Sequence, residues 1–321
     1  MNKKKVLMRE KGFLFFFFLF LPLVSFYEVS SPVVFALKIK QRVVIDGILD
    51  EPFWKDSVKV GQFLDIYDNS KLAEPQTYFQ VVYDDEKVYF GITGIEPKIS
   101  EIIREPFLRD SWPRGTSIEI FLDTNSDRST YYQFATNLGC GIFDSYNKDT
   151  KWDGNWEIAT KIYSDRWTME VAVPFSDFNI ENVEKGMRWG LNICRNREGG
   201  IQYSSSWAAV GGDFHNPGKF NTLIFGDFDS WMEAEKSNYR NLKEETLTFF
   251  KKHKVEGKRI EARLKRIDGL MKKLEATKVR NKKDIRQIIP VYKQMELIQR
   301  LSQDIKDEMK VIKLLNSSGE E

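Results

Sequence analysis

Residues 117–123 read SIEIFLD, and this stretch decides the fold class. Its apolar residues Ile118, Ile120 and Leu122 alternate with the remaining side chains, which is the period-two pattern of a strand that buries one face. Outward from it, β-branched and aromatic residues alternate in six further runs, at residues 77–83, 88–95, 131–138, 167–173, 187–194 and 220–225. Seven such runs without helices between them predict an antiparallel β-sandwich that spans residues 37–228.

The periodicity changes in the residues that follow the sandwich. Apolar residues recur at four- and three-residue steps over residues 260–274 and similarly over residues 298–312, which is the heptad seam of a coiled coil. A further helix is predicted at residues 231–252, and Pro290 should start or kink the last helix. The sequence therefore predicts a helical extension over residues 229–321, with its last few residues disordered. Self-association, packing on the sandwich and docking on another protein are all left open for this extension.

Composition and charge limit the class of function. Hydrophobic residues make up 41% of the 321 residues, enough for a sizeable core, which excludes global disorder. Residues 37–226 carry 21 basic and 28 acidic side chains, so we do not expect a nucleic acid as partner. The basic surplus lies in residues 227–321, with 23 basic against 17 acidic side chains, as expected for a solvated helix exterior. Binding of an anionic polymer or a membrane by this extension is the alternative. The two histidines, His215 and His253, are too few for a histidine-rich metal centre.

The first 36 residues have the three parts of a cleaved secretory signal. Lys3, Lys4 and Lys5 belong to a cationic start, residues 13–24 form a short apolar run, and small residues precede Leu37. The apolar run is shorter than the ~20 residues that a spanning helix needs. We expect cleavage after residue 36 and a mature protein that is periplasmic, extracellular or at the cell surface. An uncleaved membrane anchor is the alternative.

Cys140 and Cys194 are the two cysteines of the chain. Export permits a disulfide bond, but two cysteines are too few for a disulfide-based fold. Because disulfide geometry is strict, we expect two buried free thiols and leave pairing as the alternative.

Polar side chains lie on the strand faces opposite the core. Alternation places Glu119, Gln133, Asn192 and Asn196 among this outward set. The loops around them carry aromatic residues, namely Trp112, Trp207 and Phe214. Sugar rings stack on aromatic rings, and their hydroxyls need acceptors and amide donors. The pattern favours a carbohydrate ligand, and the alternative is that these aromatic side chains only close the ends of the sandwich.

Residues 44–228 resemble a family 9 carbohydrate-binding module. The matching pieces, in chain order, are Ile45-Asp46-Gly47, Leu49-Asp50-Glu51, Trp54, Tyr83-Asp84-Asp85, Val88-Tyr89, Trp112, residues 117–123, Tyr132-Gln133-Phe134, residues 167–174, residues 189–192, Asn216-Pro217 and Lys219-Phe220. Their order and spacing carry the resemblance. It implies a β-sandwich, as the periodicity also predicts.

In sugar-binding members of the family that this chain resembles, two aromatic side chains clamp a terminal sugar above polar groups of the strands. The resemblance implies the aromatic role for Trp112 and Phe214, with Trp207 standing near the second of them. It implies the polar roles for Glu119 and Asn137.

Three positions depart from the family pattern. Ala135 replaces the usual arginine, Cys194 replaces the usual glutamine, and the loop amide falls near Gly211-Gly212. Three other polar residues are candidates to complete the shell, namely Arg109, Arg195 and Asn192.

The resemblance also implies structural calcium, and no other cofactor is expected. Asp123, Asn125 and Asp127 alternate as oxygen ligands do in calcium loops, although Arg128 replaces the glycine of the sixth position. An ordinary hairpin turn rich in Asp and Asn is the alternative.

Three functions follow as hypotheses. The first is a secreted, non-catalytic carbohydrate-binding protein of polysaccharide catabolism. The second is a component of a glycoside hydrolase, which needs two carboxylates about 5–10 Å apart. The third is a haem-binding relative of the same sandwich, for which His215 is the body's single histidine.

Overall fold

The computed structural model describes residues 32–198, 203–253 and 257–317. The strands are β1 (Val33–Lys38), β2 (Leu64–Asp65), β3 (Thr77–Tyr83), β4 (Lys87–Ile95), β5 (Ser117–Asp123), β6 (Tyr132–Asn137), β7 (Phe143–Tyr146), β8 (Glu157–Ile162), β9 (Arg166–Pro174), β10 (Arg188–Arg197), β11 (Tyr203–Ser206) and β12 (Asn221–Phe225). The helices are α1 (Pro52–Asp56), α2 (Phe228–His253), α3 (Lys258–Ala276) and α4 (Ile285–Ser317). The prediction of a mainly β fold with a helical extension is confirmed.

The strands form one sheet that curls back on itself. Its order is β7-β6-β5-β10-β12-β1-β3-β4-β9-β8, with β11 added beside β10 and β2 beside β11. The pairs are antiparallel except at β1, which runs parallel to both β12 and β3. Side chains from distant strands, such as Phe90, Met169, Ile120 and Ile193, share one core because the curl brings their faces together.

The N-terminal strand β1 shifts the predicted start of the sandwich. Val33, Val34, Phe35 and Ala36 are buried, and each pairs with a residue of β12. The sandwich therefore begins at Val33, and a cut after residue 36 would remove most of a central strand. Residues 1–31 of the predicted signal lie outside the described residues, so export stays a prediction.

Each half of the sheet has an outer face, and one of them is covered by the chain. We call the outer side of β3, β4 and β9 the covered face, because Ile39, Val43, Phe53 and Trp54 pack there in a small apolar cluster. The outer side of β5, β6 and β10 is called the open face. Loops cover only part of it.

A buried glutamate fastens the segment that lies on the covered face. Glu170 Oε2 accepts hydrogen bonds from the backbone N–H groups of Asp46 (3.0 Å) and Gly47 (2.9 Å). Its Oε1 accepts a bond from the Trp54 indole at 3.2 Å. Gly47 has a φ of +83°, and a Cβ there would lie 2.5 Å from the Thr160 carbonyl carbon, so only glycine fits this turn.

The three long helices pack as a bundle against the sandwich. The predicted heptad residues of α3, such as Ile260, Ile267 and Leu274, are buried, and α3 packs on α4. Pro290 lies inside α4, which begins five residues earlier. Residues 318–321 lie outside the described residues. Among the helices of the described residues, none is both long and apolar enough to cross a membrane.

The bundle and the sandwich share a continuous core. The Trp231 ring of α2 is fully buried and lies 5.7 Å from the Phe35 ring of β1, measured between ring centroids. A cleft of about 600 Å³ lies along the seam, where Arg188 donates to Gln299 at 2.8 Å and to Glu235 at 2.8 Å. These contacts join the two parts, and we interpret the cleft as their interface.

Candidate functional site

The open face brings Glu119 into a row with two neighbours that the sequence singled out. Strand register places Glu119 directly opposite Cys194 on one side and Ala135 on the other. In the next row Ser117 lies opposite Asn196 and Asn137. The departures from the family pattern therefore flank the glutamate itself.

The Glu119 carboxylate lies at the centre of a chain of side-chain hydrogen bonds. Its two oxygens accept bonds from Gln133 Nε2 at 2.8 Å and Asn196 Nδ2 at 2.7 Å. Ser145 in turn donates to Gln133 Oε1 at 3.2 Å, and Ser204 donates to Asn196 Oδ1 at 2.8 Å. Because each amide is held from both ends, its orientation towards the carboxylate is fixed.

Burial changes the acid–base behaviour of this carboxylate. Desolvation raises the pKa of Glu119 to about 7, although the bonds from Gln133 and Asn196 pull it down. The group therefore changes its charge near neutral pH.

A pocket of about 460 Å³ opens above this chain of hydrogen bonds. Glu119, Ser117 and Asn196 line it from the strands. Its other walls carry rings and charges, which come from loops and from the ends of β10 and β11, namely Tyr67, Trp112, Asp213, Phe214, His215, Arg197 and Tyr203. The structure thus brings three sequence-predicted residues, Trp112, Glu119 and Phe214, to one pocket.

The two most exposed aromatic side chains of the pocket are Trp112 and Tyr67, at 51% and 86%. The Trp112 ring meets the Phe143 ring edge to face, with centroids 5.1 Å apart. One side of Trp112 is therefore supported by β7 while much of it meets solvent. This half-supported state is typical of a stacking platform rather than of a core residue.

Phe214 and His215 form a more buried part of the wall. The Phe214 ring packs on Phe121, with centroids 6.5 Å apart. The His215 Nδ1 atom is hydrogen-bonded to the Tyr131 hydroxyl at 2.8 Å, and burial lowers the pKa of His215. These contacts hold both rings in place.

Two arginines follow each other along β10 on the side away from Glu119. Arg195 is fully buried and donates to Glu96 at 2.9 Å, so it does not line the pocket. Arg197 binds both oxygens of Glu96 at 2.8 Å and also lines the end of the pocket. Of the two, Arg197 is the one that brings positive charge to the ligand side.

Four other sequence candidates lie elsewhere. Asn137 is buried, and its side chain binds the backbone of Glu105, Arg114 and Gly139 at 2.8–2.9 Å. Its amide therefore holds loops together. Trp207 is fully buried in the main core, where its ring lies 4.9 Å from that of Phe79.

Asn192 and Arg109 are also absent from the pocket. The buried Asn192 accepts hydrogen bonds from the Ala208 N–H (2.9 Å) and the Ser206 hydroxyl (3.1 Å). Arg109 donates to Asp144 and to Asp153, at 2.9 Å each, outside the pocket.

Sequence reasoning placed Asn196 on the correct face but did not select it for the site. It did not select Arg197 or Tyr67 at all. Alternation contained the signal for Asn196, whereas Tyr67 lies in a loop that has no periodicity.

The predicted calcium ligands form a turn in which their side-chain oxygens accept backbone N–H bonds. Both carboxylate oxygens of Asp123 accept backbone N–H bonds, from Asp127 at 3.2 Å and Arg128 at 2.8 Å. Asp127 Oδ1 accepts N–H bonds from Ser129 and Thr130. This arrangement is that of a hairpin turn rich in Asp and Asn, and calcium binding by these three residues stays a prediction.

A separate acidic group surrounds Arg109. Within the described residues, Asp110, Asp144 and Asp153 have carboxylate oxygens within 4.8 Å of one another. The guanidinium of Arg109 already pairs with these acids, and the Trp156 indole donates to Asp144 at 2.8 Å. We therefore interpret the group as an ion-pair cluster.

Both cysteines are free thiols. Cys194 is buried on the open face, where burial raises the pKa of its thiol. Cys140 is half-buried, with its Sγ atom 3.6 Å from the Thr160 hydroxyl.

The chain was compared with known families and structures. Residues 45–227 match the family described as "Carbohydrate family 9 binding domain-like". No curated protein matches the chain. The fold is similar to that of a family 9 carbohydrate-binding module from Caldicellulosiruptor kristjanssonii in complex with cellotriose, with 20% identity over 60% of this chain and 93% of that one, and a TM-score of 0.45. A second such module, in complex with glucose, has 20% identity over 61% and 97% of the two chains and a TM-score of 0.44.

The family match covers more than half of the chain and contains both outer-face glutamates. Glu119 lies at the pocket and Glu170 lies under the Asp46-Gly47 turn, so the matched residues include the parts that build each face. By this match, the chain belongs to the carbohydrate family 9 binding domain-like family.

Proposed function

We propose that this protein binds a carbohydrate, without cleaving it, in the pocket above Glu119. One observation carries the proposal: exposed rings and a buried carboxylate held between two amides line the same pocket. Membership of a carbohydrate-binding-domain-like family supports it.

The aromatic rings suit the apolar faces of a sugar. Trp112 offers a large half-exposed ring, and Tyr67 adds a second exposed ring on the same pocket. The C–H faces of a pyranose lose water when they stack on such rings, which contributes binding free energy without charge.

The polar groups suit the hydroxyls of the same sugar. The Glu119 carboxylate accepts from O–H groups, and a charge-assisted bond of this kind is stronger than a neutral one. Ser117 and Asn196 lie beside it on the pocket wall. Because the amides of Gln133 and Asn196 orient the carboxylate before a ligand arrives, little ordering entropy is lost on binding.

The other carboxylates of the pocket have structural partners. Glu198 Oε2 accepts the Gly115 N–H at 3.0 Å, and Asp213 Oδ1 accepts the His215 N–H at 2.9 Å. A glycoside hydrolase needs one carboxylic acid and one carboxylate directed at the same glycosidic bond. Since both side chains hold loops, we propose binding alone.

We also propose that the protein is exported. The cationic start and the apolar run at residues 13–24 support this proposal. Since β1 begins at Val33, the cleavage point that fits the fold lies before that residue.

A substitution at Trp112 tests the site. A glycan array identifies the best sugar, and calorimetry then measures its affinity for the parent and for Trp112→Ala. We expect this substitution to weaken binding by about 1–3 kcal/mol, the range of aromatic anchors. The melting temperature should change little, because half of the ring is already exposed.

Leu108→Ala is the matched control. Leu108 lies in the same loop as Trp112 and is 83% exposed, but it does not line the pocket. It should leave affinity unchanged. Equal affinity of Trp112→Ala and the parent would refute the site, and release of reducing sugar from the bound glycan would refute binding without cleavage.

A further inference from the structure

The outer side of α3 carries six exposed basic side chains in two rows, each with a seven-residue repeat. The first row is Lys258, Lys265 and Lys272, and the second row is Arg259, Arg266 and Lys273. We call them the basic rows. The sequence alone predicted a solvated helix exterior with basic and acidic residues interleaved. In the helix, the basic residues instead lie in rows that are separate from the acidic residues.

Small residues lie between the two rows. Successive residues of a helix are about 100° apart, so the rows project in directions about 100° apart. Ala262, Gly269 and Ala276 repeat at the same seven-residue interval and project between them. A Cβ built at Gly269 meets nothing within 4 Å. The result is a shallow groove about 22 Å long, with basic walls and a floor of small residues.

Among the described residues, the bundle does not pair four of these six cations. In the described part of the chain, no carboxylate lies within 4.0 Å of the charged nitrogens of Lys265, Arg266, Lys272 or Lys273. Lys243 of α2, in contrast, is paired with Asp268 of α3 at 2.8 Å. These four cations thus differ from one that joins two helices of the bundle.

Acidic residues of α3 border only one side of the groove. Glu261, Asp268 and Glu275 form a row beside the lysines of the first basic row. Asp268 faces α2, where it accepts a hydrogen bond from Tyr239 at 2.9 Å besides its pair with Lys243. The arginine side of the groove has no such acidic border on α3.

We propose that the basic rows bind a linear polysaccharide that carries sulfate or phosphate groups along its length. The repeated anions of such a chain can meet cations on both sides of the groove. A membrane-surface helix instead exposes large apolar residues between its charges, and the outer side of α3 exposes alanine and glycine there. This site is independent of the pocket above Glu119.

Heparin is the probe for this proposal, with calorimetry of the mature protein at several salt concentrations. The test variant combines Lys265→Gln, Arg266→Gln, Lys272→Gln and Lys273→Gln. We expect its affinity to fall at least about tenfold at low salt. The slope of log affinity against log salt should become smaller in magnitude by about 2–3, because fewer counterions are released when fewer cations contact the polymer.

The matched control removes the same number of charges from other exposed positions of the bundle. It combines four substitutions, namely Lys251→Gln, Lys306→Gln, Lys310→Gln and Lys313→Gln. This control should bind heparin within about twofold of the parent, because the basic rows are intact. An equal loss in both variants would mean that net charge alone attracts the polymer, and would overturn the proposal.

A second variant tests the groove without removing a cation. Ala262→Glu with Ala276→Glu adds acids to the floor, and both positions are exposed. It should weaken heparin binding at least about fivefold with unchanged helical circular dichroism. The proposal fails if the parent does not bind heparin, or if phosphatidylglycerol vesicles bind more tightly and with the same variant pattern.

Discussion

The covered face and the open face of the sandwich each bury a glutamate inside a strand, Glu170 on β9 and Glu119 on β5. Burial raises the pKa of each to about 7. The oxygens of Glu170 accept hydrogen bonds from two backbone N–H groups and an indole of the same chain. Side-chain amides flank Glu119, and a pocket opens above it. The same buried carboxylate therefore fastens the chain on one face and is available to a ligand on the other.

The largest effect should come from removing β1, which leads directly into the segment on the covered face. A protein that begins at Leu37 lacks four buried residues, and each large apolar side chain contributes about 1.5–3 kcal/mol. This loss is comparable to a typical total stability of about 5–15 kcal/mol. We expect that protein to lack near-ultraviolet circular dichroism.

A protein that begins at Pro32 is the control and should fold. N-terminal sequencing of the exported protein should likewise find a start before Val33. A folded protein that begins at Leu37 would mean that β1 is dispensable.

Glu170→Ala should cost the next largest amount. It leaves the N–H groups of Asp46 and Gly47 and the Trp54 indole without their acceptor, so we expect a loss of about 3–5 kcal/mol in the free energy of unfolding. Urea denaturation measures it. Glu119→Ala is the comparison and should cost less, because the pocket lets water reach its partner Asn196. Equal losses would erase the distinction between the two faces.

Stability should fall as pH rises through neutrality. Both glutamates have a folded pKa of about 7 against the ordinary glutamate value of 4.5, so between these values the folded state holds protons that the unfolded state has released. Their contribution is complete below the unfolded pKa and is lost above the folded one. From about pH 6 to about pH 8 we expect a loss of about 1 kcal/mol for each glutamate, measured by urea denaturation. Glu119→Gln should remove about half of this dependence.

Affinity should change with pH in the opposite direction and by the smallest amount. The ionised Glu119 accepts sugar hydroxyls more strongly, so binding should weaken as pH falls below about 7. Glu119→Gln should lower affinity at about pH 8 by about 1 kcal/mol and should make it independent of pH. Calorimetry at both pH values measures this. Glu170→Gln is the control and should leave the pH dependence of affinity intact.

The fold could be predicted where one face of a strand is polar. The run at residues 117–123 forms β5 with the predicted bounds, because apolar residues alternate with other side chains along it. The strand β1 was missed because residues 33–36 are buried on both sides and have no alternation. Residues 33–36 are also apolar like the N-terminal region, which favoured placing the end of the predicted signal peptide at residue 36.

The site could be predicted in part, for a related reason. Alternation shows which face a side chain takes, and it placed Glu119 on the open face. It does not show which loop covers that face, so Asn137, which loops surround, could not be distinguished from Asn196, which meets the pocket. Trp112 and Trp207 both lie in aromatic loop sequences, and only the tertiary structure separates the exposed ring from the buried one.

The parallel position of β1 has a consequence for the order of folding. Val33 pairs with Thr222, so about 190 residues must be synthesised before the first strand finds its partner in β12. Until then the sheet has a gap at its centre, and neither half can close over the core. We expect the amides of β1 to gain hydrogen-exchange protection last during refolding.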